Sequence, residues 1–152
     1  MTKFLTPVPG AASGAQRRAF DVARATDILA RTLYGEARGE GEQGMIAVAC
    51  VIMNRVRASN DRAVRGLGAM WWGDDVAAVC LKPYQFSCWN HDDPNRRKII
   101  VVNEHDAVFA AAKRIATRAI LGVLDDCTRG ATHYHARNIT PTWARGVTPT
   151  AM

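Results

Sequence analysis

The clearest pattern in the first third of the chain is an apolar face that repeats at helical spacing. Ile28, Leu29 and Leu33 fall on one side of an α-helix, with polar residues between them. Thr26 or Asp27 is expected to cap the start of this helix, because either side chain can accept hydrogen bonds from free backbone N–H groups. The pattern therefore predicts an amphipathic helix that packs against a core.

Helical spacing continues on both sides of this segment. A first helix over residues 16–25 is expected to run on into it, and residues 44–56 are apolar at almost every periodic position, which predicts a largely buried helix. Residues 103–121 predict a further helix that Asn103 caps and Gly122 terminates. The stripe expected to be buried on this last helix consists of Val108, Ala112, Ile115 and Ala119.

Residues 57–75 are expected to form a connection, because glycines and small polar residues interrupt the periodicity. Trp71 and Trp72 within it are either a lid or core anchors. A short helix should follow as far as Val79, with acidic residues at its start that complement the helix dipole.

Residues 130–135 alternate between polar and less polar positions, which predicts a short strand. The chain is therefore expected to be a mostly α-helical (α+β) single domain with a small β element. Residues 1–15 are rich in Pro, Gly and Ala and are interpreted as a loosely ordered lead-in, so that the domain covers residues 16–152.

Length and composition are those of one globular domain: 152 residues, 48% of them hydrophobic and 22% charged. The net charge of +6 favours an anionic partner, such as a wall polymer. The basic residues are dispersed rather than gathered in one arm, so nucleic acid is not an expected partner. No apolar run reaches the roughly 20 residues that a membrane span requires, and a monomer is expected.

The four cysteines form no CxxC pair, which argues against a zinc knuckle. Cys50 lies in an apolar helical run and is expected to be a buried small hydrophobe. Cys80 and Cys88 bracket a short loop, and the sequence leaves open whether they form a disulfide.

Glu36 is the strongest candidate for chemistry. It follows Ile28 and Thr32 at four-residue intervals, so it should emerge near the apolar side of the helix and close to the negative end of the helix dipole. Both surroundings favour the protonated carboxyl that a general acid needs near neutral pH. Glu40, one turn on, should be more hydrated. The alternative is that both glutamates simply pair on a solvated face with Arg38, Arg31 or Arg24.

Residues 82–90 form the second informative stretch. Gln85, Phe86, Ser87 and Trp89 interleave aromatic rings with amide and hydroxyl groups. Aromatic faces can stack on sugar rings while amides and hydroxyls bind the sugar's polar groups, so this composition suits a carbohydrate cleft. The alternative is an irregular loop pinned by buried aromatics.

Four blocks in order resemble the SleB-type cell wall hydrolases, the spore-cortex-lytic enzymes and their bacterial and phage relatives. The blocks are residues 30–40 (ARTLYGEARGE), 54–56 (NRV), 85–88 (QFSC) and 131–135 (ATHYH). The resemblance implies a lysozyme-like fold of the lytic transglycosylase kind and peptidoglycan as substrate. It maps the catalytic glutamate onto Glu36 and implies that Gln85, Phe86 and Ser87 line the cleft. By the same resemblance Tyr134 faces the reacting sugar, whereas His133 faces either the sugar or the core.

The expected reaction is that of a lytic transglycosylase, because only Glu36 among the carboxylates has apolar support. One acid can cleave the bond between N-acetylmuramic acid and N-acetylglucosamine and leave a 1,6-anhydro end, with no cofactor or metal. A hydrolytic muramidase would need a second carboxylate. The candidates for that role are Asp74, Asp75, Asp92 and Asp93.

Two further alternatives belong to other classes. A zinc-dependent amidase could take His133 and His135 as ligands, with His91 or His105 as a third. A basic wall-binding module would have no catalytic role. The first residues carry no signal peptide pattern. The expectation is therefore a phage or prophage endolysin that is made in the cytoplasm and reaches the wall through a holin.

Overall fold

The computed structural model describes residues 13–135 and 139–148. These residues form five α-helices and three single 3₁₀ turns. The α-helices are α1 (Gly14–Ala37), α2 (Gly41–Val64), α3 (Val76–Leu81), α4 (Pro94–Val101) and α5 (Ala107–Ile120), and the 3₁₀ turns are Arg38–Glu40, Ser87–Trp89 and Thr142–Ala144.

Helix α1 is one continuous helix, which confirms that the two predicted segments run together. It begins after Ser13, whose hydroxyl accepts a hydrogen bond from the Gln16 backbone N–H at 3.2 Å while the Gln16 side chain accepts one from the Ser13 N–H at 2.7 Å. The predicted start at Thr26 or Asp27 is wrong. Thr26 lies inside the helix and donates its hydroxyl to the Val22 carbonyl at 2.8 Å. It is the first buried residue of α1, not the residue at which the helix begins.

Helix α2 is longer than predicted, because it continues through residues 57–64. Its end is a Schellman motif: the Gly66 N–H donates to the Ala63 carbonyl at 2.9 Å and the Leu67 N–H to the Arg62 carbonyl at 3.1 Å. Gly66 takes the left-handed conformation (φ 73°) that this motif requires. The expected burial of α2 is confirmed. Its buried residues include Met45, Val48, Ala49, Cys50, Val51 and Ile52.

Helix α5 begins later than predicted. Asp106 caps it by accepting hydrogen bonds from the Val108 and Phe109 N–H groups at 2.9 and 3.0 Å, so the prediction of Asn103 as the cap is wrong. Gly122 stands beyond the end with φ 71°, as expected. Val108 is exposed and the buried stripe runs along the neighbouring positions Phe109, Ala112, Ile115, Ala116 and Ala119.

Helix α1 is the centre of the fold, and α2, α3, α4 and α5 all pack against it. The short helix predicted to reach Val79 is confirmed as α3, whereas α4 was not predicted. The core draws on all five helices and on the buried loop residues Trp72, Phe86 and Cys88. No helix within the described ranges is both long and apolar enough to cross a membrane.

The prediction of a short strand at residues 130–135 is wrong. This segment has no regular secondary structure, and no strand occurs in the part of the chain that the structure describes. Its backbone is held by side chains: Asn54 donates to the Ala131 carbonyl at 3.1 Å and Arg55 to the Thr132 carbonyl at 2.7 Å. The mostly α-helical class is confirmed, and most of the predicted lead-in, residues 1–12, lies outside the described residues.

Candidate active site

Glu36 lies in the last turn of α1, half-buried, with two donors on its carboxylate. The backbone N–H of Cys88 donates to Oε1 at 3.1 Å, and the Tyr134 hydroxyl donates to Oε2 at 3.4 Å. The two donors come from segments 52 and 98 residues away along the chain. Three of the four predicted blocks therefore meet at this one carboxylate.

The alternative in which Glu36 pairs with an arginine is not supported. Within the described residues no salt bridge includes Glu36. Arg31 pairs with Asp27 at 2.7 Å, and Arg38 donates to Asn95 Oδ1 at 2.6 Å. Glu40, in the turn that follows, is exposed as expected.

Gly35 permits the close approach that brings the Cys88 N–H to Glu36. A Cβ atom on Gly35 would lie 2.6 Å from the Cys88 Cβ and 3.1 Å from a methyl carbon of Ile99. The loop therefore packs directly on the backbone of α1. Burial raises the pKa of the Cys88 thiol, and the neighbouring Glu36 charge raises it further.

The cysteines are structural rather than cross-linked. Cys50, Cys80 and Cys88 are buried and Cys127 is exposed, and all four are free thiols. The expected burial of Cys50 is confirmed. Burial raises the pKa of Cys80 to about 12, so this thiol stays protonated at neutral pH.

The loop at residues 82–90 is irregular, as predicted, but its side chains divide between core and surface. Phe86 is buried in the core, so the prediction that it lines the cleft needs correction. The Trp89 indole N–H donates to the Thr32 hydroxyl at 2.9 Å, which pins that half-buried ring to α1. Gln85 is half-buried, and Ser87 is exposed beside Cys88.

The Tyr134 hydroxyl contacts Glu36, and 43% of the surface of this residue is exposed. Burial of the hydroxyl raises its pKa, and the Glu36 charge raises it further. The phenol therefore remains a hydrogen-bond donor at neutral pH.

Asn54 ties the middle of α2 to the segment that carries Tyr134. Its amide nitrogen lies 3.1 Å from Asp126 Oδ2, 3.2 Å from the Thr128 hydroxyl and 3.1 Å from the Ala131 carbonyl. These bonds fix the side of the site that lies opposite the turn at Glu36.

Arg55 was not predicted as a site residue, although it stands in the NRV block. It is buried and donates to the Thr132 carbonyl at 2.7 Å and to Gln85 Oε1 at 3.2 Å. Its guanidinium also lies over the Trp72 and Phe86 rings, 5.6 and 5.5 Å from their centroids. Arg55 thus joins three of the predicted blocks through one side chain.

His133 faces aromatic rings rather than Glu36. Its ring lies 6.0 Å from Trp72 and 5.1 Å from Trp143, and its Nδ1 lies 3.0 Å from the Thr132 hydroxyl. Burial lowers the pKa of His133, and the positive charge of Arg55 lowers it further. Trp72 is buried and donates its indole N–H to the Arg55 carbonyl at 3.1 Å, so it is a core anchor.

The candidate second carboxylates serve other roles or lie at the surface. Asp75 caps α3 by accepting from the Ala78 N–H at 2.7 Å, and Asp93 caps α4 by accepting from the Asn95 N–H at 2.7 Å. Asp74 and Asp92 are exposed. In the described segments no three His, Cys, Asp or Glu side chains are grouped to hold a metal ion, so the zinc hypothesis finds no ligand set there.

The chain belongs to the cell wall hydrolase family, whose model matches residues 39–152. This match begins three residues after Glu36 and includes Asn54, Arg55, Gln85 and Tyr134. It confirms the resemblance at the level of the family, and the mostly helical fold fits a hydrolase of this kind.

One similar protein is a spore cortex-lytic enzyme of Halalkalibacterium halodurans. It is 28% identical over 109 residues, which are 70% of this chain and 26% of that protein. The chain therefore spans about a quarter of that relative's length. No solved structure matches the chain significantly.

Proposed function

We propose that this protein is a peptidoglycan-cleaving glycosidase that cuts between N-acetylmuramic acid and N-acetylglucosamine with Glu36 as its general acid and base. The observation that carries the proposal is the Glu36 carboxylate, which is half-buried, accepts from two neutral donors and forms no ion pair among the described residues. Membership of the cell wall hydrolase family and the spore cortex-lytic relative support the substrate.

In the first step Glu36 gives its proton to the glycosidic oxygen as the bond to the muramic C1 breaks. The carboxylate that remains is stabilised by the Cys88 N–H and the Tyr134 hydroxyl. These two groups also fix the direction of the carboxylate, which keeps the proton aligned with the leaving oxygen.

In the second step the muramic C6 hydroxyl attacks C1 of the same sugar and returns its proton to Glu36. The product is a 1,6-anhydro end, and no water is consumed. One carboxylate suffices for this route, and the described residues bring no second one into contact with Glu36. Hydrolysis would instead need a carboxylate to activate water or to form a covalent intermediate.

Gln85 and Ser87 are the polar groups that we assign to substrate binding beside Glu36. Because Gln85 Oε1 accepts from Arg55, its amide NH₂ group is oriented as a donor, which suits an N-acetyl carbonyl. Tyr134 would contact the reacting sugar. We also assign Trp89 and His133 to substrate binding. The Trp89 indole N–H already donates to the Thr32 hydroxyl.

The proposed place of action is the cell wall, where the net charge of +6 favours contact with anionic polymers. A role in phage lysis, with release through a holin, is part of the same proposal. Co-expression with a holin should then lyse host cells faster than the holin alone, and unchanged lysis would remove the phage role.

Mass spectrometry of the muropeptides released from purified peptidoglycan tests the reaction. Products one water lighter than reducing muropeptides would identify 1,6-anhydro ends and support the transglycosylase. Reducing muramic acid ends would replace it with a hydrolytic muramidase, and free stem peptides would overturn the glycosidase altogether. The Glu36→Gln protein, prepared in the same way, shows which products depend on the glutamate.

A further inference from the structure

Five aromatic side chains beside the candidate active site form a continuous row, here called the aromatic ladder. Neighbouring rings in it have centroids 5.1 to 6.0 Å apart, the range of favourable ring contacts. In order of contact the members are Trp71, Trp72, His133, Trp143 and His135.

Two of the three tryptophans in the ladder are exposed. Trp71 is 56% and Trp143 is 52% exposed, whereas Trp72 between them is buried. Exposing two large indole rings sacrifices the burial energy that such side chains normally supply. Exposed aromatic surface of this kind is characteristic of ligand-binding regions.

The backbone holds Trp71 in its exposed position. The buried Ser59 hydroxyl donates to the Gly73 carbonyl at 2.5 Å and accepts from the Met70 N–H at 3.1 Å. The turn that carries Trp71 is therefore fixed to α2 on both sides. A ring that is presented by a pinned turn loses little conformational entropy when a ligand binds.

The ladder continues directly from the candidate active site. Tyr134, whose hydroxyl contacts Glu36, stands between the two histidines that contact Trp143. The ladder itself contains no carboxylate or ammonium, and the lowered pKa of His133 keeps that imidazole neutral at neutral pH. An uncharged ligand with an apolar face and hydroxyl groups fits such a surface.

In the loop at residues 82–90 the two rings that were expected to line the cleft are withdrawn from the surface, and the exposed ring there is that of Tyr84, which is 86% exposed. Phe86 is buried, and Trp89 is half-buried with its N–H bound to Thr32. A glycan strand extends on both sides of the bond that is cut, so a glycosidase needs ring-binding surface beyond the reacting sugar. Trp143 contacts the histidines on either side of Tyr134, so its exposed indole lies beside the segment that carries Tyr134.

We propose that Trp71 and Trp143 form a saccharide subsite that stacks against N-acetylhexosamine rings of the glycan strand beyond the bond at Glu36. This inference rests on the proposed function, since it names where the same strand continues. His133, between the two tryptophans, would exchange a hydrogen bond with a sugar hydroxyl.

Indole N–H resonances in a ¹⁵N NMR titration test the subsite directly. The chain has four tryptophans, so four such signals are expected and single substitutions assign them. The titrant is a soluble oligomer of four to six N-acetylglucosamine units, added to the Glu36→Gln protein so that no cleavage occurs. We expect saturable shifts of the Trp71 and Trp143 signals and smaller changes at the buried Trp72, whose indole N–H is bound to the Arg55 carbonyl.

Two outcomes would overturn the proposal: shifts at Trp89 without shifts at Trp71 and Trp143, or no shift of any indole signal at millimolar oligomer. Because the titration needs no catalysis, it separates this inference from the proposed function. Shifts at the ladder together with lytic activity in Glu36→Gln would retain the subsite and remove the glycosidase role of Glu36. The absence of ladder shifts together with loss of lytic activity in Glu36→Gln would remove the subsite and retain the glycosidase role of Glu36.

Substitutions supply the second readout. Trp71→Ala and Trp143→Ala should each weaken oligomer binding about three- to tenfold, as expected for loss of one stacked ring, and Trp143→Phe should recover most of it. The matched control is Phe20→Ala, which removes a 68% exposed ring from α1. Equal binding by the control and both alanine variants would contradict the subsite.

Discussion

The two sides of the candidate site are held in place by different forces. The Glu36 side is a helix and a loop in direct contact, where Gly35 leaves no room for a side chain against Cys88. The Tyr134 side is a segment without regular secondary structure, held by hydrogen bonds from Asn54 and Arg55.

This difference determines which kind of substitution each side tolerates. Close-packed contacts respond to added volume and hardly to polarity. A segment held by buried polar side chains responds to the loss of single donors, because each loss leaves an acceptor without its partner. Added volume should therefore disturb the Glu36 side, and loss of a hydrogen-bond donor should disturb the Tyr134 side.

The largest effect is expected at the atom where the two sides meet. Glu36→Gln keeps the size of the side chain but cannot give or take the proton, so wall cleavage should fall by about 10² to 10⁴. The matched control is Glu40→Gln, the exposed glutamate in the following turn, which should retain activity. Both are measured as release of soluble muropeptides, with circular dichroism to verify folding. Equal activities in the two variants would remove Glu36 from the mechanism.

Arg55 tests the Tyr134 side. Arg55→Ala removes donors to the Thr132 carbonyl and to Gln85 and leaves both half-buried acceptors unpaired. We expect a loss of about 2 to 4 kcal/mol in the free energy of unfolding and a decrease in kcat larger than the change in KM, because Tyr134 is no longer fixed. Arg55→Lys should recover only part of the lost stability and kcat, since an ammonium cannot reproduce the two-sided contact of the guanidinium.

The control for Arg55 is Arg62→Ala, an exposed arginine on the same helix, which should change stability by less than about 0.5 kcal/mol. Urea unfolding followed by circular dichroism measures both. A stability change at Arg55 no larger than at Arg62 would contradict the bridging role.

Gly35 tests the other side by volume. Gly→Ala inside a helix normally stabilises by about 0.5 to 1 kcal/mol, but here the new Cβ would lie 2.6 Å from Cys88. We therefore expect a net loss of about 1 to 3 kcal/mol and displacement of the Cys88 N–H from Glu36. Gly39→Ala is the control, because nothing lies within 4 Å of its Cβ position. A higher melting temperature in Gly35→Ala would contradict the close packing.

The same contrast explains how much the sequence could predict. Helix spacing identified α1, α2, α3 and α5, because each buries an apolar stripe that periodicity reveals. It misplaced the starts of α1 and α5, since Ser13 and Asp106 cap these helices through local geometry that several nearby polar residues could equally provide. Helix α4 was not predicted, because its one buried residue, Ile99, gives no stripe.

For the site, the position of Glu36 on the helix was inferable from spacing. Its contact with Tyr134 was not predicted, because the resemblance implied only that Tyr134 faces the reacting sugar. The role of Arg55 was not inferable, because its partners are distant in sequence. They are the Gln85 side-chain oxygen, 30 residues away, and the Thr132 backbone carbonyl, 77 residues away. The alternation at residues 130–135 has the period of a strand. Its cause is that Tyr134 contacts Glu36 while His133 and His135 contact Trp143.

A smaller effect is expected for Tyr134→Phe. The variant keeps the ring and loses one hydrogen bond, which at 3.4 Å is a long one. We expect kcat to fall about three- to tenfold with little change in melting temperature. Steady-state assays on purified peptidoglycan measure this, and an unchanged kcat would make Tyr134 a packing residue.

The smallest effect concerns Asp126, which anchors the start of the Tyr134 side. Burial alone would raise its pKa, but hydrogen bonds from Thr128, Gly130 and Asn54 outweigh it and lower the pKa to about 2. A carboxyl with a depressed pKa stabilises the fold above its ordinary pKa of about 3.9, and this contribution is lost as the pH falls through that range toward 2. The melting temperatures of the wild type and of Asp126→Asn should therefore differ at pH 6 and converge near pH 2. A difference between the two melting temperatures that stays constant with pH would mean that the charge of Asp126 does not hold this segment.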